Sequence, residues 1–193
     1  MLTVEKRLKQ LDVEIREPHL LNNQGIGNEI GFYIFDYDPK DELIVEEHLP
    51  KLQLSLADEG FKVREFNLYQ ILINILEAKK LLQKAFKMED AQGNSMLEKA
   101  IRPLLLPEEI IAYIKSLLQG DEDLFLITGV GASYPLLRSH TILNNLHSAL
   151  DRKPLVMFFP GVYDGQELRL FNLFKDDNYY RAFSLVRRSS ALR

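Results

Sequence analysis

The stretch EIGFYIFDYD, residues 29–38, decides the fold class. From Phe32 to Phe35 the side chains are apolar on both faces of the predicted strand, which is typical of a strand inside a sheet that is covered on both sides. Helical sequence follows directly at DELIVEEHLPKLQLSLADEG, residues 41–60. A buried strand that leads into a helix predicts a mainly parallel sheet joined by right-handed crossovers.

The same alternation continues outward from this strand. Further strands are predicted at FKVREFNL (61–68), DLFLITGVG (123–131), PLVMFFPG (154–161), QELRLFNL (166–173) and YRAFSLV (180–186). Helical sequence lies between them at 69–86, 96–118, where Pro103 and Pro107 divide the segment, and 135–150. The spacing of Val4, Leu8, Leu11 and Ile15 also predicts a helix over residues 3–16. We therefore expect residues 1–193 to form one three-layer α/β domain, Rossmann-like or like a degenerate P-loop fold, with residues 1–24 as an N-terminal helical arm.

Composition excludes several classes of protein. The 193 residues are 46% hydrophobic and 27% charged, which is typical of a globular domain, and the absence of cysteine excludes disulfides and thiolate metal sites. The first residues are charged and no apolar run is long enough to cross a bilayer, so we expect a cytoplasmic protein without membrane association. The net charge of −4 disfavours direct nucleic-acid binding, and the arginines at 187, 188 and 193 read as a solvated tail.

Acidic residues stand where the predicted strands end, which is where α/β folds bind ligands. Asp36 and Asp38 share one parity on the first strand, and Asp164 precedes a glycine near the end of a later one. Such carboxylates can ligate a hard divalent ion, but they also cap helices and turns by accepting hydrogen bonds from backbone amides. We favour caps and turns, and we expect neither a metal nor a cofactor.

Motifs for nucleotide binding and hydrolysis are incomplete. No glycine is followed by lysine, so the phosphate-binding loop of nucleoside triphosphatases is absent. Gly129-Val130-Gly131 begins a dinucleotide fingerprint, but Tyr134 replaces its third small residue, and a tight turn with positive φ is the favoured interpretation. Ser133 lacks the second glycine of a nucleophile elbow.

Two polar stretches carry residue types that anchor protein interfaces. Arg138 and His140 open the helical segment at 135–150, and Tyr179, Tyr180 and Arg181 follow a turn near the end of the chain. Tyrosine and arginine bury a large area at low cost in rotamer freedom and carry a polar tip. The alternative is internal pairing of Arg138 or Arg181 with acids such as Asp36, Asp38 or Asp177.

The sequence resembles the BrxB family of bacteriophage exclusion (BREX) defence systems. The resemblance is carried by GNEIGFYIFDYDPKDEL at 27–43, FLITGVGASYPLLRSHTILNNL at 125–146 and PLVMFFPGVYDGQELRLFNLFKDDNYYRAF at 154–183. It implies membership of a multi-protein bacterial system that methylates self DNA and blocks phage replication. Other members of such a system supply a methyltransferase, an ATPase and the phosphatase-superfamily protein PglZ.

The resemblance brings no catalytic residues with it. It implies a non-catalytic adaptor that binds another BREX protein, most simply PglZ, and it leaves self-association open. The rival hypothesis is an enzyme, either a degenerate nucleotide-binding domain or a metal-dependent phosphoesterase. That hypothesis requires Asp36, Asp38, His140 and Asp164 to converge within about 5 Å around a cavity.

Overall fold

A computed structural model describes residues 2–21, 31–146, 150, 153–175 and 182–188. The helices are α1 (Val4–Glu14), α2 (Pro18–Leu21), α3 (Glu42–Asp58), α4 (Leu68–Ala78), α5 (Leu82–Gln92), α6 (Asn94–Ile101), α7 (Pro107–Ser116), α8 (Val130–Ser133) and α9 (Ser139–Leu146). The strands are β1 (Phe32–Tyr37), β2 (Val63–Asn67), β3 (Leu124–Thr128), β4 (Leu155–Tyr163), β5 (Leu168–Leu170), β6 (Phe174–Lys175) and β7 (Phe183–Ser184). Short 3₁₀ turns occupy Pro39–Asp41 and Arg102–Leu104.

The strands form one mostly parallel sheet with the order β2-β3-β4-β1-β7. β4 is parallel to both β1 and β3, and β1 is parallel to β7. β5 turns back antiparallel to β4 and pairs with β6. Every residue of β1 and of β3 is buried, as predicted for strands covered on both faces. The arrangement confirms the three-layer α/β class.

The chain divides into two compact units. The first contains Met1–Glu65, Gly120–Thr128 and Arg152–Arg193, and the second contains Phe66–Gln119 and Gly129–Asp151. That the whole chain behaves as one domain stays a prediction. None of the helices within the described ranges is long and apolar enough to cross a membrane.

The core of the first unit joins α1 and α3 to the sheet. The predicted stripe on α1 is buried, with Leu8 2% exposed and Leu11 and Ile15 fully covered. These side chains share one cluster with Phe35 of β1 and Phe158 of β4. Burying each such side chain contributes about 1.5–3 kcal/mol, so residues 3–16 are bound into the core of this unit.

The second unit is helical, and its helix boundaries differ from the prediction. Residues 69–86 form two helices, because α4 ends at Ala78 and Lys80 takes a left-handed conformation with φ of +58°. The amide of Leu81 donates to the carbonyl of Leu76 at 2.8 Å, which closes the helix end. The predicted helix at 135–150 begins only at Ser139.

The turn after β3 agrees with its prediction. Gly129 has φ of +66°, and a Cβ at this position would lie 3.2 Å from the amide nitrogen of Tyr69. A residue with a side chain would therefore be strained in conformation and also crowded against α4. The two requirements explain why glycine stands between this strand and α8.

Candidate functional site

A buried ion cluster lies at the end of β1, around Asp36. The Asp36 side chain is almost fully buried, and so is the side chain of Arg7, which reaches it from α1. Nη2 of Arg7 donates to Oδ1 of Asp36 at 3.0 Å and to the carbonyl oxygen of Val186 at 2.6 Å. Nη1 of Arg7 donates to the backbone carbonyl of Asp36 itself. One guanidinium therefore connects α1, β1 and the segment after β7.

A second arginine completes the cluster. Nε of Arg188 lies 2.7 Å from Oδ2 of Asp36, and its Nη2 donates to the carbonyl of Gly161 in β4. The amide of Tyr163 also donates to Oδ2 of Asp36, at 3.3 Å. Both carboxylate oxygens of Asp36 are thus engaged by groups of the protein itself.

The electrostatics of this cluster explain its composition. Burial lowers the pKa of Arg7, and the adjacent Asp36 carboxylate opposes that shift. The guanidinium carbon of Arg7 also lies 4.8 Å from the centre of the Phe35 ring, which is a favourable cation–π distance. Two cations around one carboxylate keep every buried charge beside a group of opposite sign, as burial of charge requires.

Neither Arg7 nor Arg188 was selected from the sequence as a partner of Asp36. The sequence pattern favours Arg138 or Arg181 for internal pairing and predicts a solvated tail for Arg188, and for Arg188 that prediction is wrong. The side chain of Arg188 is only 26% exposed and its charge faces Asp36. No local signal could have found these partners, because α1 and the segment after β7 reach β1 only through the tertiary fold.

The other two strand-end acids bind backbone amides. Oδ1 of Asp38 accepts a hydrogen bond from the amide of Lys40 at 3.3 Å, at the start of a 3₁₀ turn. Oδ1 of Asp164 accepts from the amides of Gln166 and Glu167 at 2.9 and 2.8 Å. The hydrogen bonds from these two amides lower the pKa of Asp164, because they stabilise its charged form.

Several predicted site residues have no described side-chain position. Tyr179, Tyr180 and Arg181 lie outside the described residues, and for His140 the structure describes the helix but not the side chain. Arg138 is exposed just before α9, where its carbonyl accepts a hydrogen bond from Ile142. In the described part of the chain, no three His, Asp or Glu side chains are placed to hold a metal ion.

The second unit contains an apolar groove that the sequence analysis did not single out. We call it the α5–α6 groove; its cavity volume is about 400 Å³. Its walls come from α4, α5, α6 and the residues around Tyr134 and Pro135. The side chains that line it are Tyr69, Leu72, Ile73, Leu76, Leu82, Ala85, Phe86, Glu89, Asn94, Ser95, Leu97, Glu98, Ile101, Ala132, Tyr134, Pro135 and Leu136.

The floor and the edges of this groove differ in exposure. Leu72 and Leu76 of α4 are buried beneath it, whereas Tyr69 and Phe86 at its edges are 46% and 44% exposed. Nη2 of Arg102 donates to the carbonyl of Pro135 at 3.2 Å and lies 2.6 Å from Oε1 of Glu98, which links the end of α6 to the segment around Pro135. The spacing of the apolar residues on α5 was the available sequence signal.

These features define a three-layer α/β protein whose buried strand-end acid is held by its own arginines and whose helical unit presents an apolar groove. The family described as "BREX protein BrxB" matches residues 64–185. The chain belongs to this BrxB family.

Two relatives extend the match to nearly the full length. The chain is 48% identical to a "BREX protein BrxB" of Bacillus cereus (strain H3081.97), over 96% of this chain and 99% of the relative. It is 37% identical to a "BREX protein BrxB" of Escherichia coli O9:H4 (strain HS), over 95% of this chain and 92% of the relative. No solved structure matches the chain.

Proposed function

We propose that this protein is a non-catalytic, cytoplasmic adaptor of a BREX phage-defence complex. Its membership of the BrxB family supports a role in such a system. The partner is another protein of the system, with PglZ as the first candidate. In this role the chain supports phage exclusion and methylation of host DNA by holding other components together.

The observation that carries the proposal is the engagement of Asp36. Catalysis at the end of a parallel strand needs a group that can bind a metal, a proton or a substrate. Asp36 is the buried acid at that place in this fold, and its two oxygens are occupied by Arg7, Arg188 and the amide of Tyr163. Its role is therefore the structural one of a shared counter-ion between Arg7 and Arg188.

The contact surface includes the polar residues selected from the sequence. Arg138 is exposed before α9, two positions from His140 in the sequence, and the second candidate is the sequence stretch Tyr179, Tyr180 and Arg181, which lies outside the described residues. Interfaces draw much of their binding energy from a few tyrosine and arginine anchors, so replacing them tests the proposal directly.

The experiment is co-purification of the tagged chain with PglZ expressed from the same defence locus. Wild-type protein should retain PglZ, and the Tyr180→Ala/Arg181→Ala double variant should retain at least tenfold less. Arg138→Ala tests the other patch, and Arg169→Ala, at an arginine 52% exposed on β5, is the matched control. Retention of PglZ by the double variant at the wild-type level would remove Tyr180 and Arg181 from the contact surface.

A different result would disprove the adaptor role itself. If the wild-type chain binds none of the proteins of its locus, the adaptor proposal is wrong. Hydrolysis of a nucleotide or a phosphoester by the isolated chain, lost in Asp36→Asn while the fold is retained, would establish the enzyme hypothesis in its place.

A further inference from the structure

We propose that the α5–α6 groove binds an amphipathic helix of another protein, with apolar side chains on one face and a lysine or arginine beside them. The inference rests on the proposed adaptor function and gives it a second contact surface, in the helical unit. It follows from three properties of the groove: unburied apolar side chains, an open shape and acidic charge.

The first property is an apolar helix face that the described residues cover only in part, with Leu82 and Ala85 half-buried and Phe86 44% exposed. Leu82, Ala85 and Phe86 of α5 follow the spacing of one helix face and all line the groove. No residue of α5 is buried. A helix of 11 residues gains most of its stability from packing an apolar face, so a partner that covers this face would stabilise α5 as it binds.

The second property is the shape of the groove. Residues of α4, α5 and α6 line the groove, and Leu72 and Leu76 of α4 are buried in it, so a partner helix can insert side chains at positions i, i+3 and i+4. A small ligand is typically enclosed over 70–90% of its surface. Tyr69 and Phe86 at the edges stay nearly half exposed, and this openness favours a macromolecular partner over a small molecule.

The third property is charge, which identifies the kind of helix. The charged side chains that line the groove are Glu89 and Glu98, both acidic. Glu98 is neutralised by Arg102, whereas Glu89 is exposed and has no ion pair among the described side chains. A basic residue on the partner would meet Glu89 at the end of the apolar face, and a complementary charge there fixes register and speeds association.

The first test is site-specific photo-crosslinking from the groove. A photoreactive phenylalanine analogue replaces Phe86 in cells that carry the intact defence locus, and the crosslinked peptides are sequenced by mass spectrometry. We expect a peptide from another protein of the locus, with helical apolar spacing and an adjacent lysine or arginine. The same analogue at Leu106, an apolar residue that is 51% exposed and outside the groove, is the control.

Each of the other crosslinking results overturns the inference. A crosslink to a second copy of this chain shows self-association, and a crosslink no stronger than that from Leu106 shows an empty groove. A peptide without apolar helical spacing shows a different class of partner.

The second test measures affinity for the crosslinked protein. Phe86→Glu should weaken binding at least tenfold and Glu89→Lys about threefold to tenfold, whereas Leu106→Glu and Glu77→Lys, on the exposed side of α4, should leave it unchanged. Circular dichroism checks that each variant is folded. If wild type and Phe86→Glu bind with equal affinity, the groove is not the binding site, but the adaptor role is not contradicted. If the wild-type chain binds no protein of the locus, the adaptor role itself is contradicted.

Discussion

Replacing Asp36 with asparagine should destabilise the protein far more than its conservative shape suggests. The substitution removes the negative charge from a site that is 2% exposed and leaves the Arg7 guanidinium, 3% exposed, without its counter-charge. Two unit charges about 4 Å apart interact with about 4 kcal/mol at an effective dielectric constant of 20. Breaking a buried ion pair costs about 3–5 kcal/mol, so the two approaches agree on the size of the loss.

A double-mutant cycle separates the ion pair from the rest of the site. Arg7→Met removes the buried cation and keeps much of its volume, so Asp36→Asn made in that background no longer leaves Arg7 without a partner. Arg188 is then the remaining cation, and it is partly solvated. We expect the cost of Asp36→Asn to fall by about 2 kcal/mol in the Arg7→Met background, within the range of coupling between contacting residues.

The assay is urea unfolding followed by circular dichroism at 222 nm, because the chain has no tryptophan to report by fluorescence. Asp164→Asn is the matched control, since that carboxylate is exposed and binds backbone amides instead of a buried cation. If Asp36→Asn lowers the free energy of unfolding by less than about 1 kcal/mol, Asp36 is not a structural counter-ion. The same conclusion follows if the effects of Asp36→Asn and Arg7→Met on that free energy simply add.

Three further predictions concern stability. Gly161→Ala should lower the free energy of unfolding by at least about 1–3 kcal/mol, since its Cβ would overlap the carbonyl of Arg169 in the paired strand; an unchanged urea midpoint would contradict this close approach. Burial raises the pKa of Glu42 in the folded protein. The free energy of unfolding of the wild type should therefore fall as pH rises from the unfolded-state pKa of 4.5 through the folded-state pKa. Urea unfolding of Glu42→Gln at several pH values should not show this fall. Asn67→Ala removes the side chain that caps α4 at 3.1 Å and should cost about 1 kcal/mol, whereas Asn67→Ser should recover most of the loss in the same assay.

The fold class was predictable because burial leaves a local signature in sequence. The apolar run from Phe32 to Phe35 predicts a strand covered on both faces, and the spacing of Leu8, Leu11 and Ile15 predicts a buried helix face. Both follow from the periods of the helix and the strand, so they do not depend on which element is the neighbour. The tight turn at Gly129 was predictable for the same reason, because a positive φ depends on the conformational freedom of a single residue.

The break between α4 and α5 was not predictable in this way. Lys79, Lys80 and Leu81 contain neither glycine nor proline, and a left-handed lysine is intrinsically unfavourable. The hydrogen bond from the amide of Leu81 to the carbonyl of Leu76 and the packing of the two helices stabilise that conformation. The α5–α6 groove depends on this break, because a single helix over 69–86 would leave no angle between α4 and α5.

By itself the sequence determined the class of fold, the buried faces of its main elements and the turn at Gly129. Only the tertiary structure decided that Asp36 is neutralised by Arg7, 29 positions earlier, and by Arg188, near the other end of the chain. The spacing of apolar residues along the sequence indicates which residues are buried. Which charged side chains pair, in contrast, depends on the distance between side chains of different elements. That distance is set by how the elements pack, and it has no signature in the order of the residues.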